Sequence, residues 1–162
     1  MILLYALFTI TAGVLLAGQL GLLRGQTPDD LGVTNGRLKA LPATPNAVSS
    51  HDSDNASSAA RVNPLAAAGL EPSSAMHTLA EHLRDTPGIH VISERSDYIY
   101  AQAQTPWLHF VDDVEFWYNP SREVIDVRSA SRIGRSDFGT NRKRIEAIRA
   151  EWKNLVAHIP HD

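Results

Sequence analysis

No cysteine occurs in the 162 residues of the chain, which excludes disulfide staples, thiolate nucleophiles and Cys-x-x-Cys sites. A chain without thiols suits an oxidising or a reducing compartment equally, so redox setting stays open. The Gly-x-Ser-x-Gly elbow, the His-Glu-x-x-His pair and glycine-rich nucleotide loops are also missing, and neither a cofactor nor a metal is expected. With a net charge of −3 and no recognition motif, nucleic acid is excluded as a partner. No internal repeat or second globular domain is visible.

Charge is absent from residues 1–23, MILLYALFTITAGVLLAGQLGLL. At about 1.5 Å per residue, a helix of that length crosses a hydrocarbon core of about 30 Å, so the stretch predicts a transmembrane anchor in contact with the bilayer. A cleavable signal peptide is the competing reading. Against it, the basic n-region is missing, the apolar run exceeds the usual core of about 7–15 residues, and Ala17-Gly18-Gln19 is a poor cleavage site. Arg24, Arg37 and Lys39 come after the span and favour a cytoplasmic domain, whereas bacterial N-terminal anchors more often export the domain they carry. The expectation is a single-pass protein of a bacterial inner membrane, its domain side open and leaning periplasmic.

Residues 24–61 hold many Pro, Gly, Ser, Asn and Asp and few large apolar side chains. They read as mostly flexible linker, most clearly over 49–60, SSHDSDNASSAA. Residues 62–162 hold the domain. Val62-Asn-Pro-Leu predicts an edge strand, because Pro64 is tolerated where no ladder donor is needed. Met76, Leu79, Ala80 and Leu83 recur at helical spacing after Pro72, with Ser73 or Ser74 as N-cap and Pro87-Gly88 as the stop. Short strands come next over 89–93 and 98–104. From Gly139 to about Ala157 a last helix carries Ile145, Ile148, Trp152, Leu155 and Ile159 on one stripe. Helix, about four antiparallel strands and long helix make an α+β domain of two layers, with two helices on one sheet face and the other face partly wet.

The densest arranged charge lies in residues 110–144, FVDDVEFWYNPSREVIDVRSASRIGRSDFGTNRKR. Strand alternation puts Phe110, Val114, Phe116 and Tyr118 on one face, with Asp112 interrupting it, and His109, Val111, Asp113, Glu115 and Trp117 on the other. Ile125, Val127, Ser129 and Ser131 then oppose Asp126, Arg128, Ala130 and Arg132. Asn119-Pro-Ser-Arg122 between the two runs starts a type I turn and closes a hairpin. Arg128 then falls opposite Asp113 or Glu115. Glu115 is expected to be exposed, while Asp112 is expected to be buried and clamped by Ser129 or by the helix start near 139–141.

These runs, FVDDVEF, VRSASR and SDFGTNRKRIE, together with TPNAVSS at 44–50, are similar to a family of bacterial and plastid proteins catalogued as domain of unknown function 1499. The four motifs occur in order over roughly residues 30–157. The resemblance suggests that 44–50 docks on the domain, and it brings no established activity. Ala47 stands where many members have Cys, and Arg135 where an aromatic residue is common.

Two residue sets are candidates for a site. The first is the polar cluster of Asp112, Asp113, Glu115, Arg128, Ser129 and Arg132. The second is a candidate anion site at Asn141, Arg142 and Arg144, in a run where Arg128, Arg132, Arg135, Arg142, Lys143 and Arg144 face one acid, Asp137. The internal alternative is that Asp137 caps the helix while the arginines pair with carboxylates inside the fold. His109 with Asp113 and Glu115 could ligate a metal, but a charged face paired with Arg128 accounts for the same residues. Two classes of function stay open: a membrane-anchored, non-catalytic binding or accessory module for a protein partner or anionic ligand, and an enzyme using Asp112 or Asp113 with Arg128 or Arg132 as acid/base and anion-binding groups.

Overall fold

The computed structural model describes residues 1–51 and 58–159, the side chains of Leu3 and Ser58 excepted. In chain order the elements are α1 (Ile2–Gln19), β1 (Val33–Thr34), β2 (Arg37–Leu38), β3 (Ala47–Ser49), β4 (Leu65–Ala66), α2 (Pro72–Asp85), β5 (Ile89–Glu94), β6 (Tyr98–Gln104), β7 (Val111–Asn119), β8 (Val124–Ser131) and α3 (Thr140–Val156). A 3-10 turn covers Ser58–Ala60.

Five strands run in the order β3-β8-β7-β6-β5, each antiparallel to its neighbour, and β4 pairs with the other end of β8. The turn expected at Asn119 forms: Asn119 pairs with Val124 across it, and Asn119 Oδ1 accepts the backbone N–H of Ser121 at 3.1 Å. Both later helices lie on one sheet face. Met76, Leu79 and Leu83 of α2 and Ile145, Ile148 and Trp152 of α3 share a single core with Val114, Phe116, Ile125 and Val127, as strand alternation requires. The architecture is α+β with an antiparallel sheet. Trp152 joins the layers by donating Nε1–H to the Ala66 carbonyl at 2.7 Å.

Several sequence expectations need correction. Residues 1–23 do not form a spanning helix. α1 holds 18 residues, about 27 Å at the helical rise against a hydrocarbon core of about 30 Å. Gly21 stops it: at φ +75° it takes the left-handed conformation of a C-terminal cap, and the Leu22 N–H turns back to the Ala17 carbonyl at 3.0 Å. Among the described residues no helix is long and apolar enough to cross a membrane. The transmembrane anchor, the single-pass inner-membrane placement and its periplasmic lean fall with the span they rested on. The end of α1 instead meets the loop before β7. A Cβ at Gly18 would stand 2.8 Å from the Leu108 carbonyl oxygen, and Gln19 Nε2 donates to the Trp107 carbonyl at 3.3 Å.

α2 has Pro72 at its first turn and Glu71 at the cap position, with no side-chain capping bond from Ser73 or Ser74. On α3 it is Val156, not the 38%-exposed Leu155, that turns inward. Within the stretch expected as linker, β1 and β2 form a hairpin around Asn35 and Gly36, both at positive φ, the geometry that an Asn-Gly turn favours. β3 then lies on β8, with Val48 opposite Ser129 and 4% exposed. Residues 52–57 of the most linker-like piece lie outside the described residues.

If β3 is structural, Val48→Asp places an uncompensated charge in the core and should cost about 3–5 kcal/mol. Urea unfolding measures it, and a loss below about 0.5 kcal/mol, as at an exposed surface position, would show that 47–49 is a tether.

Candidate functional site

Four carboxylates of the β7–β8 hairpin are buried: Asp112, Asp113, Glu115 and Asp126 are 6%, 1%, 0% and 0% exposed. An ionised carboxylate survives there only with a cation or several donors at hand. Each has both.

On the face away from the helices, Arg128 lies directly across from Glu115 and donates to its Oε2 at 3.0 Å. Tyr98 Oη and the backbone N–H of Gly32 donate to Oε1 at 2.8 and 2.7 Å. Glu115 is therefore not the exposed residue expected, because Val33 and Leu38 of the β1–β2 hairpin pack over Tyr98 and Trp117 and close this face. Asp113 binds the Arg132 guanidinium, whose Nη2 is 2.7 Å from Oδ1, and accepts from Tyr100 Oη at 2.7 Å. The hydrogen bonds to Asp113, opposed by burial, raise the Arg132 pKa. Burial and the bond to Asp113 raise that of Tyr100, and burial and the Glu115 charge push Tyr98 far above its ordinary value of 10. Both phenols stay protonated donors. Asp126 accepts from Ser50 Oγ and Asn119 Nδ2, each at 2.8 Å, and from Arg122 at 3.0 Å.

On the helix face Asp112 Oδ2 accepts from Arg144 Nη2 at 2.6 Å. The other arm of Arg144 reaches Ser129 Oγ at 3.0 Å and Asn141 Oδ1 at 2.7 Å. Asn141 also accepts from Ser129 and donates to the Asn46 carbonyl and to Ser131 Oγ, both at 3.0 Å. Asp137 accepts the backbone N–H groups of Gly139 and Asn141 at 3.0 and 2.8 Å. Burial pushes its pKa up, but these backbone bonds outweigh it and hold the carboxyl below its ordinary 3.8. The anion position at the start of α3 is thus taken by a side chain of the chain itself.

The sheet therefore divides the expected cluster. Asp112 and Ser129 sit with Arg144 and Asn141 under the helices, while Asp113, Glu115, Arg128 and Arg132 sit on the opposite face. Asp112 and Asp113 do not share a site, and the pairing of Asp112 with Arg128 or Arg132 is not formed. Arg142 points away from Arg144: it donates to the Ala59 carbonyl at 2.9 Å and also to that of Arg61, and lies 3.9 Å from Glu146. His109 precedes β7 at φ +54° and is not on its face. Among the described residues no group of three His, Asp or Glu could hold a metal.

Two depressions meet at the sheet end where β7 begins. One, of about 430 Å³, is lined by Thr105, Phe110, Val111, Asp112, Ser131, Ile133, Gly134, Ser136, Asp137, Phe138 and Thr140. The other, of about 390 Å³, lies between the end of α2, the β5–β6 edge and α3, and Arg144 lines it. Thr105 and Thr140 belong to both, which puts the Asp112–Arg144 pair in the wall between them. Phe138 stands at the rim of the first, 91% exposed and at φ +52°. For an aromatic residue that backbone is strained by about 1–3 kcal/mol.

Sequence reasoning missed Tyr98, Tyr100 and Asn46. The alternation of YIYAQAQ does place Tyr98 and Tyr100 on the charged face once β6 is set beside β7. The family model described as "Protein of unknown function (DUF1499)" matches residues 37–152, and the chain belongs to that family. No curated protein and no solved structure matches it.

Glu115→Ala leaves the 4%-exposed Arg128 buried and unpaired and should cost about 3–5 kcal/mol. Asp112→Ala frees a more exposed arginine and should cost about 1–3 kcal/mol. Chemical denaturation ranks the two, and the reverse order would contradict the burial of Glu115. For Asp137 the folded pKa is depressed, so its stabilisation is complete above the unfolded value and is lost as pH falls from about 4 through the folded value. Asp137→Asn should flatten that part of the stability–pH curve, and an unchanged curve would remove Asp137 from the cap.

Proposed function

We propose that this member of the Protein of unknown function (DUF1499) family is a non-catalytic binding module whose ligand seats in the depression bounded by Phe110, Ile133 and Phe138. One observation carries the reading. The charged groups of the candidate cluster are committed to one another inside the fold, whereas an aromatic side chain is held exposed, on a strained backbone, at the mouth of a mainly apolar hollow. A volume of about 430 Å³ falls in the range of about 300–1,000 Å³ usual for small-molecule sites. Acid/base catalysis would need a carboxylate within reach of a substrate, and the oxygens of Asp113 and Glu115 are buried and taken up by Arg132, Tyr100, Arg128, Tyr98 and Gly32. Anion capture at Arg144 would have to displace Asp112, Ser129 and Asn141 from its guanidinium.

Amide chemical-shift mapping of the ¹⁵N-labelled full chain against a library of small apolar fragments tests this. Shifts should gather at residues 105, 110–112 and 131–140. Shifts centred on Asp113, Arg128 and Arg132, or scattered over the surface, would refute the assignment.

A further inference from the structure

Resting on that reading, we infer that the depression takes a small, uncharged molecule with an apolar, ring-like body and one hydrogen-bond donor, hydroxyl or amide, that meets Oδ1 of Asp112. Three observations define this chemistry. Asp112 is 6% exposed, and its Oδ2 accepts from Arg144 while Oδ1 has no partner among the described residues. A carboxylate oxygen left open without a protein partner is a strong acceptor, and a donor on the ligand engages it. Next, no Lys or Arg is among the described residues that line the hollow, whereas Asp112 and Asp137 are. An anion entering would meet carboxylates, and Arg144, which compensates Asp112, opens on the neighbouring depression instead. A ligand cation is equally disfavoured, because the Asp112–Arg144 pair is already neutral and Asp137 is engaged by the backbone of α3. Finally, Phe110, Val111, Ile133 and Phe138 supply apolar walls. A flat aromatic rim presents area with few torsions to order, which suits a planar guest.

Phe138 makes the inference testable without disturbing the core. At φ +52° and 91% exposed, it loses no packing on replacement by glycine, and glycine accepts that backbone without strain. Phe138→Gly should raise the melting temperature of the full chain while weakening the ligand, a split that a purely structural residue would not give.

The experiment is calorimetric titration of the wild-type full chain with 1-naphthol, 1-methylnaphthalene and 1-naphthoate, repeated on Phe138→Gly and on Phe138→Ser. We expect 1-naphthol to bind about fivefold or more tighter than 1-methylnaphthalene, as one net hydrogen bond allows, with 1-naphthoate weakest. Loss of the aromatic wall should weaken 1-naphthol about tenfold in both variants. Equal affinity for 1-naphthol and 1-methylnaphthalene, or preference for 1-naphthoate, would overturn the donor inference and leave the depression as the ligand site. Absence of binding to the wild type, or binding indifferent to both variants, would overturn the inference together with the reading beneath it.

Discussion

Burying carboxylates on both sides of one hairpin is the constraint on which the rest of the molecule depends. β7 and β8 carry Asp112, Asp113, Glu115 and Asp126 into surroundings that exclude water, and each would be intolerable there alone. Arg128 and Arg132 reach the opposite face from β8 or just beyond it, Arg122 reaches Asp126 from the turn, and Arg144 reaches Asp112 from α3. The ion pairs therefore specify position as much as stability. Slipping the hairpin by one residue would exchange the two faces and strand every one of these charges.

Covering the second face is the next consequence. Desolvating Glu115 and Arg128 needs more than each other, and the chain brings Gly32 and Leu38 over the sheet face and adds β3 along the edge of β8 to do it. Residues 24–50 are polar and poor in large apolar side chains, so by composition they resemble a tether. Their role comes from backbone donors and a few side chains such as Asn46 and Ser50, whose partners lie far along the sequence. Separation of that kind leaves no local periodicity. The Asn35-Gly36 pair was the readable signal.

What was legible came from the two-residue alternation. Both faces of the hairpin, the buried place of Asp112 and the narrowing of the cross-strand partner of Arg128 to Asp113 or Glu115 are consequences of strand geometry, and the register then selects Glu115. The partner of Asp112 was not legible in the same way. The clamp expected from Ser129 or from residues 139–141 does not form: Asp112 takes the cation Arg144, and Ser129 and Asn141 bind that arginine instead, an arrangement that depends on the angle at which the helix leaves Gly139. The extent of α1 was misread because apolar character was counted through Leu20, Gly21 and Leu22, although the backbone turns at Gly21. The division of the cluster between two sheet faces was implicit in the alternation of Asp112 and Asp113, and it decides which charges can act together.

The close approach of α1 to the loop before β7 has a meaning for how this sequence can drift. Two glycines sit in that helix. Around Gly13 there is nothing within 4 Å of where a Cβ would go, whereas at Gly18 it would stand 2.8 Å from the Leu108 carbonyl oxygen. Mutation at position 13 is therefore nearly invisible to the fold and even favourable to helix propensity, while any side chain at position 18 must push the helix off residues that adjoin the depression. In substitutional terms the same apolar segment holds one permissive site and one forbidden site, five residues apart, and a change far from Asp112 can reach its surroundings through a single carbon atom.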